Sequence, residues 1–360
     1  MGIIRIFLAL IVLLYHCPQG IIPRFLHPAL AVQCFYCISG FYIQLLIKEF
    51  QKNQTHWRLN FYKSRIIRLY PTYAIYMLGI LIFFPTTIRI DPPTLSTSNY
   101  FLFITDNLFI FTQSIMIFFH KYFTIIPVSW SLSLELMFYF LASFILTKRT
   151  NLIISIVIAS ILCRITLSQL GYFNSGWQYA FFPNEISIFL CGSLSYTFYE
   201  KYLKDNNKAF IRIIGGFLIL FLIYFDVKGW EYISGGSWDN KNSCGVPLRW
   251  WMVLILTCIS IPFIFKFSKY SKIDRYIGEL SYPIYLGHFF AIFMIKDYFP
   301  EQYQSITVIM ITLILSLIIM HTVEIPLFKL RQSYKNKKKI ESHSVLAITD
   351  TNASPLLSEG

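Results

Sequence analysis

The chain has 360 residues, of which 56% are apolar and only 14% are charged, and its mean hydropathy is +0.56. Soluble domains carry about 25% charged residues, so this composition excludes a single soluble core and predicts lipid as the main solvent. The net charge of +13 would suit a nucleic-acid partner, but the basic residues lie in clusters between apolar segments, so no nucleic-acid binding is expected.

Apolar segments of the length needed to cross a hydrocarbon core of about 30 Å recur along the whole chain. We therefore predict an all-α fold, a polytopic membrane helix bundle. The first segment ends in Tyr15-His16-Cys17-Pro18, without the small residues of a signal-peptide cleavage site, so we interpret it as a retained span. The eleven segments cover residues 3–17, 29–47, 68–84, 101–119, 130–147, 151–170, 180–199, 210–226, 250–266, 281–297 and 304–322.

The fourth segment decides the predicted topology. It carries Asp106, Asn107 and Gln113, which suit a lipid-facing helix poorly. If this segment is re-entrant or peripheral, ten segments cross and every basic cluster is cytoplasmic. We therefore expect about ten transmembrane helices in a bacterial inner membrane, with both termini cytoplasmic; eleven spans with the tail outside is the alternative. Residues 1–332 would form the membrane domain and residues 333–360 a disordered cytoplasmic tail.

The cysteines do not indicate a metal site. Cys34 and Cys37 form a CxxC pair, but no second pair stands at ligand spacing. We interpret them as small packing residues and expect no metal, no structural disulfide and no bound cofactor.

Ionisable residues inside spans are functional candidates because burial in lipid is costly. Arg5 and His16 are eleven residues apart, three helical turns plus about 20°, so they share one face about 16 Å apart along the axis. A histidine there suits a general base. A snorkelling arginine and an interfacial histidine are the alternative.

Arg65 and Arg68, at i and i+3, share a second helical face. Guanidinium groups bind phosphates in a bidentate manner, so the pair suits a phosphate ligand at the cytoplasmic side. Basic residues that only flank the cytoplasmic end of a span, as the positive-inside rule predicts, would show the same spacing.

Glu135 opens the fifth segment at about the depth predicted for His16, where a carboxylate would orient the imidazole. The alternative is that Glu135 forms a structural ion pair with Arg164. Glu185 is the other candidate partner of Arg164. His288 is expected to be a buried structural histidine, and Glu324 to pair with nearby basic residues.

In these residues the chain resembles the acyltransferase-3 family of bacterial integral membrane acyltransferases. The matching elements run in order along nearly the whole chain. One departure is Asn184-Glu185, where the family usually carries an arginine. The elements are Arg5 with His16, Ser39-Gly40-Phe41, Arg65-Ile-Ile-Arg68, Trp130-Ser-Leu-Ser133-Leu-Glu135 with Phe138-Tyr139, Ser281-Tyr282-Pro283-Ile-Tyr285-Leu-Gly-His288, and Glu324-Ile-Pro326.

The resemblance implies transfer of an acyl group, commonly acetyl from acetyl-CoA, to a hydroxyl of a cell-surface polysaccharide or its lipid-linked precursor. Arg5, Arg65 and Arg68 would bind the acyl-CoA, His16 would act as general base, and Glu135 would orient it. Direct transfer and an acyl-enzyme on a serine both remain open. Candidates for supporting roles are Ser39, Trp130, Ser133, Tyr139, Tyr285 and His288.

Two other functions fit a polytopic chain with buried ionisable residues. A transporter or flippase of lipid-linked glycans commonly has two related halves, and the sequence shows no such repeat. A non-catalytic scaffold would leave the histidine and carboxylates within the spans unexplained.

Overall fold

A computed structural model of the chain describes residues 1–17, 27–85, 97–116, 124–172, 176–206, 208–233, 248–295 and 300–332. Within these ranges the regular secondary structure is helical and contains no strand, which confirms the all-α prediction. The predicted tail, residues 333–360, lies outside the described residues. The helices are α1 (Gly2–His16), α2 (Pro28–Asn53), α3 (Trp57–Phe83), α4 (Thr97–Phe109), α5 (Gln113–Met116), α6 (Trp130–Ile145), α7 (Thr150–Gln169), α8 (Phe182–Phe198), α9 (Ala209–Ile233), α10 (Leu248–Ser268), α11 (Lys272–Ile295) and α12 (Glu301–Ile319).

Six described helical stretches are long and apolar enough to cross a membrane, and two shorter apolar helices accompany them. Their outward faces carry large apolar side chains, such as Ile82, Phe83 and Leu220, that are more than two-thirds exposed. Lipid is the solvent in which such faces are stable. The protein is therefore a multi-pass membrane protein, whereas the number of ten crossings stays a prediction.

The fourth apolar segment is interrupted. The backbone turns at Ile110, where φ is 61°, so α4 ends at Phe109 and the short α5 follows. The polar side chains of this segment face the protein: Asn107 Oδ1 accepts a hydrogen bond from the Ile125 amide (2.9 Å) and Gln113 Oε1 accepts one from Ser129 Oγ (2.6 Å). Burial of these groups against the chain before α6 favours the predicted re-entrant or peripheral placement.

Two glycines let α2 and α8 pack with their backbones in close contact. A Cβ atom on Gly40 would lie 1.8 Å from the Phe189 carbonyl oxygen, and one on Gly192 would lie 1.9 Å from the Cys37 carbonyl oxygen. Because membrane helices associate largely through close packing, these positions exclude any side chain. The residue before Gly40, Ser39, donates a hydrogen bond to Glu135 on α6 (2.7 Å).

A second close pair, α1 and α11, positions the predicted catalytic span. The Asp274 carboxylate accepts hydrogen bonds from the backbone amides of Gly2 (2.8 Å) and Ile3 (3.0 Å) at the start of α1. Such a side-chain acceptor satisfies amides that have no partner inside their own helix. Anchored there, α1 runs along α11 and brings His16 beside His288.

The CxxC cysteines point toward α10. Cys34 Sγ lies 3.6 Å from Thr257 Oγ1, and Cys37 Sγ lies 2.7 Å from Cys258 Sγ; all three cysteines are free thiols. No group of three potential metal-ligating side chains occurs in the searched part of the chain, the described residues. Cys244 lies outside that part.

Candidate active site

A cavity of about 550 Å³ lies among α1, α2, α3, α6 and α11. One end, here called the basic end, is lined by arginines from four parts of the chain. The other, here called the hydroxyl end, is lined by serine and tyrosine side chains and by Glu135. The basic end comprises Arg5, Arg65, Arg68, Arg275 and Arg331, and the hydroxyl end comprises Tyr36, Ser39, Ser131, Glu135, Tyr139 and Tyr285.

Arg68 is neutralised by two carboxylates at the basic end. Its guanidinium donates to Glu279 and to Glu324 (2.8 Å), and Thr72 Oγ1 donates to the other oxygen of Glu324 (2.7 Å). A π-helical turn, Met320–Glu324, shifts the register of the chain after α12 and buries Glu324 at this point. The predicted pairing of Glu324 with basic residues is observed, and Arg68 is one of its partners.

Arg65 has a different environment, although it lies one turn from Arg68 on the same face. Its Nη2 donates to Ser64 Oγ (3.0 Å), and its guanidinium lies 5.8 Å from the centre of the Tyr139 ring. Among the described residues no carboxylate lies within ion-pair distance of Arg65 or Arg5. Arg5 and Arg65 therefore line the cavity without a carboxylate at ion-pair distance in the described chain, although Glu279 interacts electrostatically with Arg5 and Glu135 with Arg65.

Glu135 belongs to the hydroxyl end. Its Oε1 accepts hydrogen bonds from Ser39 Oγ (2.7 Å) and from the hydroxyl of Tyr139, one turn later on α6. Ser131 Oγ and the Tyr285 hydroxyl are 2.7 Å apart, and the Tyr285 hydroxyl also donates to the Val128 carbonyl (3.2 Å). Four sequence-predicted residues thus converge here: Ser39, Glu135, Tyr139 and Tyr285.

Two other predicted residues serve different contacts. Ser133 Oγ donates to the Phe111 carbonyl (2.7 Å) and lies 2.9 Å from Ser114 Oγ, so it holds the interrupted fourth segment against α6. The Trp130 ring packs near Tyr179, 6.1 Å between centroids. Neither residue lines the cavity.

His16 is the last residue of α1 and has the properties of a base. Its Nδ1 lies 2.9 Å from the Val12 carbonyl oxygen. Because a carbonyl can only accept, Nδ1 carries the proton in this contact, and a neutral ring then has its basic lone pair on Nε2. His288 repeats the arrangement: its Nδ1 lies 3.3 Å from the Ile284 carbonyl, and its buried Nε2 has no hydrogen-bond partner in the described chain.

The two imidazoles lie behind the hydroxyl end. The rings of His16 and His288 stack at 5.2 Å between centroids and 30° between planes. The Tyr285 ring lies 6.3 Å from His288 on one side and 6.2 Å from Phe35 on the other, and both Tyr285 and Phe35 line the cavity. The cavity therefore ends at Tyr285, and His16 does not line it.

The predicted pairing of Glu135 with His16 is not formed in this arrangement. The hydrogen bonds of Glu135 within the described chain come from Ser39 and Tyr139. The expectation rested on similar depth in the membrane, which does not specify the direction in which α6 turns the side chain. A direct orienting contact would need Tyr285 and its neighbours to move.

Arg164 pairs with Glu185, the second of the two partners considered from the sequence. Arg164 Nη2 donates to Glu185 Oε1 (2.6 Å), and Gln33 Nε2 donates to both oxygens (2.8 and 3.1 Å). The Trp250 indole donates in turn to Gln33 Oε1 (2.6 Å). This network lies outside the cavity.

Sequence reasoning missed Glu279, Tyr282, Ser131 and Arg331 as parts of the site. Tyr282 and Ser131 lie inside family motifs and Glu279 lies two residues before one, so the motifs indicate the region without indicating the contacts. Arg331 belongs to a basic cluster that follows the last span, with Lys329 before it and Lys335 after it. No sequence signal separates it from the lysines around it.

The acyltransferase domain family model matches residues 1–323, nearly all of the described chain. The chain therefore belongs to the acyltransferase-3 family, as its motifs suggested.

Curated relatives include O-acetyltransferase OatA of Staphylococcus aureus. The strain MRSA252 protein is 25% identical over 354 residues, which cover 89% of this chain and 56% of the relative. The strain NCTC 8325 protein is 25% identical over 331 residues, which cover 83% of this chain and 52% of the relative. The chain thus spans about half the length of these relatives. An uncharacterized protein of Aquifex aeolicus is 26% identical over 195 residues, or 53% of this chain and 80% of that protein. No solved structure matches the chain.

Proposed function

We propose that this protein is a membrane-bound O-acetyltransferase that moves an acetyl group from acetyl-CoA to a hydroxyl of a cell-surface polysaccharide or its lipid-linked precursor. The observation that carries the proposal is the cavity itself. Arg5 and Arg65, which have no carboxylate within ion-pair distance in the described chain, line one end, and a histidine whose Nδ1 contacts a backbone carbonyl lies behind the other end.

The basic end suits the donor's phosphates. Arg5 and Arg65 offer charged N–H groups inside a partly enclosed site, where charge-assisted hydrogen bonds are strongest. Arg68 already donates to two carboxylates, so we assign it a positioning role: it fixes α3 against Glu279 on α11 and Glu324 after α12. By the positive-inside rule the basic end faces the cytoplasm, where acetyl-CoA is available, and both termini lie there in the inner membrane.

The hydroxyl end suits the reacting atoms. In direct transfer, His16 Nε2 takes the proton of the acceptor hydroxyl as that oxygen bonds to the thioester carbonyl carbon. The carbon–sulfur bond then breaks, and the CoA sulfur leaves as a thiolate or thiol. General base catalysis of this kind contributes about 10²- to 10⁴-fold, and positioning of donor and acceptor supplies further acceleration. Tyr285 must be displaced for the thioester to reach His16.

The test is acetyl transfer by membranes that contain this chain and the host glycan. Radiolabel from acetyl-CoA in the glycan, with release of CoA, supports the proposal. A folded protein that neither binds acetyl-CoA nor releases CoA would contradict it and would favour a transporter of lipid-linked glycans.

A further inference from the structure

Arg331 belongs to the segment after the last span, which lines the cavity. It sits in the helical segment 325–332, beyond residues 1–323 that match the family model. Its side chain is 10% exposed and lines the basic end together with Arg5 and Arg65. The sequence offered no role for it except flanking charge.

The Arg331 guanidinium has hydrogen-bond donors without acceptors. Its Nε and Nη2 are buried and have no hydrogen-bond partner among the described residues, and the same holds for Arg65 Nε. Arg331 Nη2 lies 3.7 Å from Glu324 and 4.0 Å from Glu279, within ion-pair range but beyond hydrogen-bond length. Arg68 donates to the same oxygen of each carboxylate.

Buried donors of this kind cost free energy unless a ligand or water satisfies them. Two such guanidinium groups from separate elements, α3 and the segment 325–332, face one cavity. The basic side chains that line this cavity also outnumber its carboxylates, six to four. The unsatisfied donors and the excess positive charge both favour an anion with several oxygen atoms.

We infer that Arg331 is a further ligand of the acyl donor, and that it binds a phosphate group of the donor's nucleotide together with Arg5 and Arg65. This inference rests on the proposed function and adds a residue outside the family match to the donor site. The planar guanidinium presents parallel N–H groups that match phosphate oxygens in a way that a lysine does not. Segment 325–332 thereby becomes part of the binding site and not only the end of the last helix.

The experiment compares Arg331→Gln and Arg331→Lys with Arg212→Gln in the purified full-length protein. Arg212 is an exposed arginine on α9 that does not line the cavity, so its variant removes the same charge elsewhere. Affinity for CoA and KM for acetyl-CoA are measured, with inorganic pyrophosphate as competitor. The thermal stability of each variant without ligand is recorded.

We expect Arg331→Gln to weaken CoA binding and raise KM about ten- to a hundredfold, with kcat changed less than about twofold. Arg331→Lys should lie between this variant and wild type, and Arg212→Gln should equal wild type. Pyrophosphate should compete with CoA for the wild type and about tenfold less well for Arg331→Gln.

Wild-type CoA affinity and pyrophosphate competition in both Arg331 variants would overturn the inference and leave the proposed function intact. If Arg331→Gln does not fold, the CoA affinity of Arg331→Lys tests the inference. This variant keeps the charge beside Glu279 and Glu324 but removes the planar donors. Failure of the wild type itself to bind CoA or transfer acetyl would instead overturn the proposed function.

Discussion

Two clusters of buried arginines and glutamates stabilise different parts of this bundle, and they differ in whether they line the cavity. Around Glu185, the carboxylate accepts from Arg164 and Gln33, and Trp250 closes the network away from the cavity. At the basic end, Arg68 occupies Glu279 and Glu324, while Arg65 and Arg331 face the cavity with donors that lack acceptors. The same residue types therefore have different roles, and contact with the cavity distinguishes the binding cluster from the structural one.

Breaking the Glu185 network should give the largest loss of stability. We expect Arg164→Ala to cost about 3–5 kcal/mol because it leaves a buried carboxylate without its charge partner. Thermal or denaturant unfolding in detergent measures the loss. The double variant Arg164→Met with Glu185→Leu should recover most of the lost free energy of unfolding. A double variant as unstable as the single one would show that the loss comes from packing and not from the unpaired charge.

Removing Arg68 should have a smaller effect on stability. Arg68→Gln leaves Arg331 as the remaining cation near Glu279 and Glu324, but Glu279 is 23% exposed and Thr72 still donates to Glu324. We expect a loss of about 1–3 kcal/mol, measured by the same unfolding assay, with a moderate fall in activity. A stable Arg68→Gln protein whose defect is confined to KM would contradict the positioning role and restore Arg68 as a phosphate ligand.

Arg65 should show the reverse pattern. Arg65→Gln removes a cation that has no carboxylate partner in the described chain, so stability should change by less than about 0.5 kcal/mol. The KM for acetyl-CoA should rise about tenfold with little change in kcat, because the contact is made equally in ground and transition states. Arg58→Gln, an exposed arginine on the same helix outside the cavity, is the matched control. Unfolding of Arg65→Gln with unchanged KM would reverse the assignments of Arg65 and Arg68.

Tyr285→Phe should have the smallest effect on stability among the site variants. It removes the hydrogen bonds to Ser131 and Val128 while keeping the ring between Phe35 and His288. We expect a cost of about 1 kcal/mol and, if Tyr285 blocks the route to His16, unchanged or increased kcat in steady-state assays. A kcat that falls at least a hundredfold would instead assign the hydroxyl a direct part in the reaction.

The sequence predicted helices better than contacts. Each of the eleven apolar segments overlaps a described helix, although residues 117–119 and 296–297 lie outside the described residues. The bounds differ most for α3, which begins at Trp57 although its apolar segment begins at residue 68. Arg58, Lys63 and Arg65 lower the hydropathy of that end without breaking the helix, because charged residues are tolerated where a span leaves the membrane. Hydropathy thus marks the part of a helix in lipid and not its full length.

Some contacts of the candidate residues followed from the sequence, such as that of Arg164 with Glu185, but those of Glu135 did not. Glu135 and His16 were expected to meet, whereas Glu135 faces Ser39 and Tyr139. Helix rotation and close approach decide such contacts, and here they depend on Gly40 and Gly192, whose missing side chains let α2 and α8 meet. A sequence without homologous pairs to compare carries no direct signal of that geometry. Arg331 shows the same limit, since its burial follows from the path of the chain after α12.

The most direct test of the proposed reaction is acetyl transfer by His16→Ala. Membranes with wild type, His16→Ala or His56→Ala, an exposed histidine at the start of α3, are given radiolabelled acetyl-CoA, and CoA release and label in glycan are measured. We predict that His16→Ala folds and binds CoA but loses transfer by at least about 10²-fold, while His56→Ala retains it. Wild-type turnover by folded His16→Ala would contradict the assignment of His16 as the general base.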